Sequence, residues 1–265
     1  MTASATAVDV FDRIVCGVDG TSEALEAARQ AARIRSAEGL LRLVAVAEVD
    51  TAVHAGFAMS RVLDELDASA RAALHTAIDT VHPDSTHLVA GAALPSLLRE
   101  IERADATLVA VGPHGHSRAA GMLLGGVATT LLHDAPCSVL LGRRGRLGPF
   151  PASILAGVDG SPESLAAAAA AQSLAERFDA EFLALTATGG KPVEADAVQD
   201  AVSAVVYDER KPVEALVDLA AEADLLVLGS RGLHGLRALG SVSERVAHRA
   251  PCSVLVVRET TGSTT

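Results

Sequence analysis

The sequence predicts two α/β domains in tandem, each a parallel sheet covered on both faces by helices. Three observations lead there. The chain repeats itself: Arg13-Ile14-Val15-Cys16-Gly17-Val18-Asp19-Gly20-Thr21 recurs as Ser153-Ile154-Leu155-Ala156-Gly157-Val158-Asp159-Gly160-Ser161. Likewise Ala135-Pro136-Cys137-Ser138-Val139-Leu140 recurs as Ala250-Pro251-Cys252-Ser253-Val254-Leu255. Recurrence over such a span means a duplicated folding unit. Next, short runs that are apolar throughout alternate with longer helical stretches. Strands buried on both faces and followed by helices belong to parallel sheets. Finally, 265 residues, 49% of them hydrophobic, suffice for two domains of ordinary size with their own cores.

In the first half, 14–18 reads as a buried strand, and Thr21 caps a helix running to about residue 37. Strand 41–46, helix 59–80, strand 86–90, helix 95–103, strand 108–111, helix 123–132 and strand 137–141 follow. The second half repeats this series. Its Ser161-Pro162 places an N-cap before a proline at the first helical position, a strong helix start. The repeat offset is 140 residues at the first strands and through Leu43, which matches Leu183. It is 117 at Pro95/Pro212 and Gly112/Gly229, and 115 at the last strands. The second half is therefore shorter by 25 residues. We expect 23 of them to be missing between Thr188 and Val202, around its second helix, and two between Gly229 and Gly240. Arg143 through Pro151 (RRGRLGPFP) reads as the connector.

Composition excludes several function classes. Aromatic residues are 2% and Trp is absent, so the core must be built from Ala, Val, Leu and Ile. The 22 Lys and Arg against 33 Asp and Glu leave a net charge of −11. A nucleic-acid binder carries a basic patch, and the sole basic run, Arg143, Arg144 and Arg146, reads as solvating the connector. Three Cys without CxxC spacing point to reduced thiols and small core residues. Met1 to Asp12 lacks a basic segment followed by an apolar one, so no signal peptide is expected. The Ala run 166–171 is too short for a membrane span and reads as part of a buried helix. A cytoplasmic protein without nucleic-acid or membrane partners is expected.

Ligands of open parallel sheets bind beyond the carboxyl ends of the strands. Asp19 and Asp159 stand at the ends of the first strands. Gly112-Pro113-His114-Gly115 and Gly229-Ser230-Arg231-Gly232 end the fourth, and Gly125-Gly126 and Gly240-Ser241 open the last helices. Glycines let backbone amides approach a phosphate, and a helix N-terminus adds free N–H groups and a favourable dipole. A serine hydroxyl adds one donor, and a carboxylate accepts from a base amino group or a ribose hydroxyl. The structural alternative is equally concrete: Gly-rich corners serve any α/β turn, and Asp before Gly is an ordinary turn residue. His114 and His116 lack further ligands nearby, so a metal site is not expected. His133 and His248 precede Ala-Pro at helix ends, where a histidine favours the dipole and bonds free carbonyls. No nucleophile with an adjacent base stands out.

The segments GVDGSPES, GSRG and GSVSERVAHRAPCSVLVVR resemble the universal stress protein family. Its nucleotide motif is Gly, two residues, Gly, nine residues, Gly, then Ser or Thr. The resemblance covers 11–143 and 152–258 as two domains joined by the linker 144–151. It implies Rossmann-like domains of five parallel strands in the order 3-2-1-4-5, paired through their last strands. It also implies that many members hold ATP at the Gly motif while others hold none; for this chain ATP is the expected ligand, with Mg²⁺ bound through the phosphates. Carried onto this chain, the motif falls on Gly112, Gly115, Gly125 and Gly126 in the first half. In the second it falls on Gly229, Gly232, Gly240 and Ser241, with Ser243 beside them.

Each half departs from the motif. The first has the nine-residue spacing, but Gly126 replaces the hydroxyl residue and Ala128 stands where the second half has Ser243. The second has the hydroxyls but only seven residues between Gly232 and Gly240, and it carries Asp208 where the first half has Gly91. The expectation is an ATP-binding stress or regulatory protein without catalysis of its own. An interaction module with both cradles degenerate is the alternative. An ATP pyrophosphatase-type ligase lacks its early Ser-Gly-Gly-x-Asp-Ser loop here. The halves are expected to pair through 139–141 and 254–257, apolar final strands that would otherwise be exposed sheet edges. A homodimer of whole chains is compatible with the sequence, although no residue pattern demands one.

Overall fold

The computed structural model describes residues 10–48, 59–115, 124–145, 148–190, 198, 202, 204–230 and 241–258. The first half comprises β1 (Arg13–Gly17), α1 (Ser22–Ile34), β2 (Leu40–Ala47), α2 (Met59–Val81) and β3 (Ser85–Ala90). It continues with α3 (Ala93–Arg103), β4 (Leu108–Val111), α4 (Gly126–Asp134) and β5 (Ser138–Leu141). The second comprises β6 (Ser153–Gly157), α5 (Pro162–Phe178), β7 (Glu181–Ala187), β8 (Val205–Asp208) and α6 (Pro212–Leu219). A 3-10 turn (Ala220–Glu222), β9 (Leu225–Gly229), α7 (Ser241–Arg249) and β10 (Ser253–Val257) complete it.

The ten strands of the described residues form one sheet, in the order β3-β2-β1-β4-β5-β10-β9-β6-β7-β8. The first five run 3-2-1-4-5, and the second five repeat that order in mirror image. Neighbours are parallel within each half and antiparallel where the halves meet. There Val254 faces Leu141, Leu255 faces Leu140 and Val256 faces Val139. These six residues are fully buried, which removes two apolar edges from water. Because β5 and β10 run in opposite directions, the carboxyl ends of the strands lie at opposite ends of the sheet in the two halves.

One layer of the core packs β-strand residues such as Cys16, Leu43 and Ala156 against α1, α2 and α5. The other packs Val15, Val109 and Leu226 against α3, α4, α6 and α7. Ala167, Ala168 and Ala171 of the alanine run are fully buried, so small side chains set the close helix-to-sheet distance. The three thiols are buried. Burial pushes Cys16 and Cys137 up to about 12 and Cys252 up to about 11, with the charge of Asp19 adding to the effect at Cys16. They are therefore neutral, unreactive thiols at ordinary pH. Among the described residues, no helix is long and apolar enough to cross a membrane.

The ladders correct the expected register of the repeat. Gly17 faces Val44, and Gly157 faces Leu185. The offset at the second strands is thus 141, and Leu43 corresponds to Ala184 rather than Leu183. The physical reason is the preceding corner: α5 runs on to Phe178 and turns through Asp179 in the left-handed conformation, whereas α1 stops at Ile34. Val46 faces Val89 while Ala187 faces Asp208, so Asp208 takes the place of Val89 and not of Gly91. Leu97 lies against Gly17 as Leu216 lies against Gly157, so Pro212 is not the counterpart of Pro95. The offset falls from 141 to 119 between β7 and β8, a loss of 22 residues rather than 23. In that shortened stretch Val198 and Val202 are buried in the core. Val198 sits beside Gly160 as Ala73 of α2 sits beside Gly20. Helix α4 also begins later than expected, at Gly126, because Leu124 is buried and Gly125 occupies the cap.

Two arginines at equivalent places tie the halves together. Arg143, expected to be solvated, turns inward: it donates to Ala247 O at 2.6 Å and Cys252 O at 3.3 Å. Arg258 donates to Leu132 O, His133 O and Ala135 O. The backbone N–H of Arg143 bonds Ser253 Oγ and that of Arg258 bonds Ser138 Oγ, each at 3.0 Å. The carbonyls at the end of α4 are thus bonded by Arg258. His133, expected to bond them, lies 3.3 Å from Glu244 instead.

Candidate functional site

The first half carries a cleft of about 610 Å³ at the carboxyl ends of β1, β2 and β4. This is where the strand order reverses, since the crossovers after β1 and β4 leave on opposite sides. One wall is apolar: Val18, Val44 and Val46 from the sheet side, with Leu97 from α3 and Leu66 and Ala70 from α2. Asp19, Glu48 and His114 supply polar groups, and Gly112, Gly115, Gly125 and Gly126 form the far end. Sequence reading brought together Asp19 and the four glycines. It missed the wall from β2 and α2. The signal was available, because β2 is the strand that neighbours β1 at the reversal point.

Asp19 has a structural task. Its Oδ1 accepts from Thr21 N at 2.9 Å and Thr21 Oγ1 at 2.6 Å. This orients the threonine hydroxyl to accept from Ala24 N at the start of α1. Asp159 does the same for Ser161 at the start of α5. Gly20 and Gly160, at φ of 89° and 84°, supply the left-handed residue that each of these turns needs. The remaining oxygen of Asp19, Oδ2, stands beside Gly115: a Cβ built there would lie 3.2 Å from it.

The glycines divide by what a side chain would meet. At Gly112 a Cβ would approach Ala24 N to 2.9 Å, and at Gly229 it would approach Glu163 O to 2.5 Å. Both are packing glycines that let the first turn of α1 or α5 reach the sheet. At Gly125 a Cβ would meet only ordinary contacts, and at Gly126 nothing lies within 4 Å. The N–H of Gly125 bonds Pro113 O at 2.7 Å, tying the start of α4 to the end of β4. The open donors of the cradle therefore come from the first turn of α4, whose N–H groups have no partner within the helix. That turn carries no acidic residue and no side-chain cap.

In the second half Ser243, expected to be a hydroxyl donor beside the phosphate, donates to Gly229 O at 3.0 Å. Its proton secures α7 to the end of β9. The matching Ala128 in the first half therefore marks a lost internal hydrogen bond rather than a lost ligand donor. Asp208 is held by Arg210 through Oδ1 and Oδ2, and these hydrogen bonds keep its carboxyl below the usual range. Arg210 also bonds Asp218. Ser241 begins α7. Gly232, Gly240, His116 and Arg231 lie outside the described residues.

Residues 11–143 and 191–258 match the sequence model of the universal stress protein family. Universal stress protein Rv2623 of Mycobacterium tuberculosis is 34% identical over 226 residues, covering 74% of each chain. A universal stress protein of Mycolicibacterium smegmatis is 30% identical over 92% of this chain and 96% of its own. The crystal structure of a universal stress protein from Archaeoglobus fulgidus superposes with a TM-score of 0.72. It covers 94% of this chain and 96% of that one, at 19% identity, and so attests the shared fold. The ten-stranded sheet, the duplicated halves and these matches agree: the chain belongs to the universal stress protein family, in its tandem form.

Proposed function

We propose that this chain is a cytoplasmic stress-response regulator that binds an adenine nucleotide in the cleft of its first half and catalyses no reaction itself. The observation that carries this is the open cradle at Gly126, where, among the described residues, no atom crowds the helix start and no acidic or capping side chain fills it. The apolar wall suits a base. Asp19 and Glu48 suit amino and hydroxyl donors, and the first turn of α4 suits a phosphate. ATP is the ligand proposed, with Mg²⁺ carried on its phosphates. The domains are proposed as 11–143 and 152–258, paired in solution through β5 and β10. Asp159, Gly232, Gly240 and Ser241 are proposed as the remnant of a second cradle.

The interaction-module reading rests on a different observation. Gly125 N–H and the Ser243 hydroxyl, two donors a phosphate would use, are already bonded within the protein. One experiment separates the two readings. Protein purified without added nucleotide is denatured, and any released nucleotide is identified by mass and counted per chain. About one adenine nucleotide per chain supports the proposal. None released, and none taken up from millimolar ATP, replaces it with the interaction module.

Gly126→Ser restores the hydroxyl at a position with room for it. A hydrogen bond to a charged phosphate contributes about 1.5 kcal/mol, so ATP is expected to bind roughly tenfold tighter in titration calorimetry. Unchanged affinity would mean that the phosphate lies away from α4.

A further inference from the structure

We infer that each cradle helix is held in place by an arginine of the opposite half, so that Arg258 is a positioning residue for the first-half site. The inference rests on the nucleotide proposal only for what that site binds. Helix α4 has nine residues, too few to be stable alone. Among the described residues no side chain caps its start, in contrast to α1 and α5, which Thr21 and Ser161 cap. That absence keeps the cradle open, and it leaves the position of α4 to its buried face and its far end. The buried face is Ala128, Leu131 and Leu132. The far end belongs to Arg258, whose guanidinium collects three carbonyls, those of Leu132, His133 and Ala135. Helix-end carbonyls otherwise lack partners, and a cation there favours the helix dipole.

Arg258 follows the last strand of the second half, and its neighbour across the sheet is Ser138, whose Oγ accepts from Arg258 N. The same device runs the other way. Arg143 follows the last strand of the first half and bonds Ala247 O in the last turn of α7 and Cys252 O just before β10. The first turn of α7 meets α4 again through His133 and Glu244, at 3.3 Å. A displacement of either half about the β5–β10 seam therefore moves the cradle helix of the other.

The test uses the full chain with Arg258→Ala and Arg143→Ala. Both variants remove an arginine from the same seam, but they act on different helices. Amide hydrogen exchange is followed without ligand by mass spectrometry. Arg258→Ala is expected to speed exchange in 127–134 at least about tenfold and to leave 243–249 near wild type, and Arg143→Ala the reverse. In calorimetry Arg258→Ala is expected to weaken ATP binding at the first half about fivefold or more, with Arg143→Ala within twofold. Unchanged exchange in 127–134, or both variants loosening both helices alike, overturns the inference. Should Arg258→Ala fail to fold, Arg258→Lys keeps the charge, loses the multiple bonds and is read by the same exchange pattern. A wild-type chain that takes up no ATP defeats the nucleotide proposal alone, because exchange still decides the helix anchoring.

Discussion

Gly115→Asp is expected to abolish nucleotide uptake by the first half, weakening ATP binding at least about a hundredfold. A Cβ at residue 115 already stands 3.2 Å from Asp19 Oδ2, so the new carboxylate lands beside an existing one. Two like charges about 4 Å apart cost about 4 kcal/mol at the dielectric of a protein surface. The new group also occupies the end of the cleft where the phosphate is proposed to lie, and repels it. A hundredfold loss corresponds to about 2.8 kcal/mol, which repulsion of about that order between the new carboxylate and the phosphate supplies. Gly115→Ala separates bulk from charge: its methyl group meets the same oxygen without a charge and is expected to cost far less. The readout is calorimetric titration with ATP, checked by thermal melting. An Asp variant that melts like wild type and binds ATP equally would remove Gly115 from the site.

The second large effect is on stability. Gly229→Ala is expected to lower the melting temperature by about 10 °C. The added methyl would lie 2.5 Å from Glu163 O and 2.7 Å from Ser164 N. These are backbone atoms of the first turn of α5, and they cannot rotate away. Helix α5 must shift, and overpacking of this kind costs about 3 kcal/mol. In a chain of this size each kcal/mol lowers the midpoint by about 3 °C. Gly126→Ala is the control, because its methyl meets nothing within 4 Å. Equal melting of the two variants would mean that Gly229 is not a packing residue. The contrast also bears on motif reading: of the glycines in one nucleotide-type motif, some serve the fold and others leave a site open.

Much of this was legible in the residues alone, for a local reason. Strand runs such as Ile14–Cys16 and helix starts such as Ser161-Pro162 are short-range features, set by side-chain periodicity and backbone caps. The repeat then reported two copies of one unit. The strand-end position of Asp19 and the family motif at Gly112, Gly115, Gly125 and Gly126 named five residues, and all five line one cleft.

Tertiary structure decided what the residues do once they meet. That Leu43 corresponds to Ala184 depends on how α5 ends, and aligned apolar strands tolerate a one-residue slip in sequence without any visible sign. The Ser243 hydroxyl reads as a ligand donor until Gly229 O is found 3.0 Å away. Arg143 reads as a solvated charge until its partners Ala247 O and Cys252 O, more than 100 residues distant, are in view. Sequence by itself determined the elements, their duplication and the set of residues at the strand ends, because these follow from local pattern. Only the folded chain determined the partners of each polar group, because hydrogen bonds are satisfied across the sheet and not along the chain.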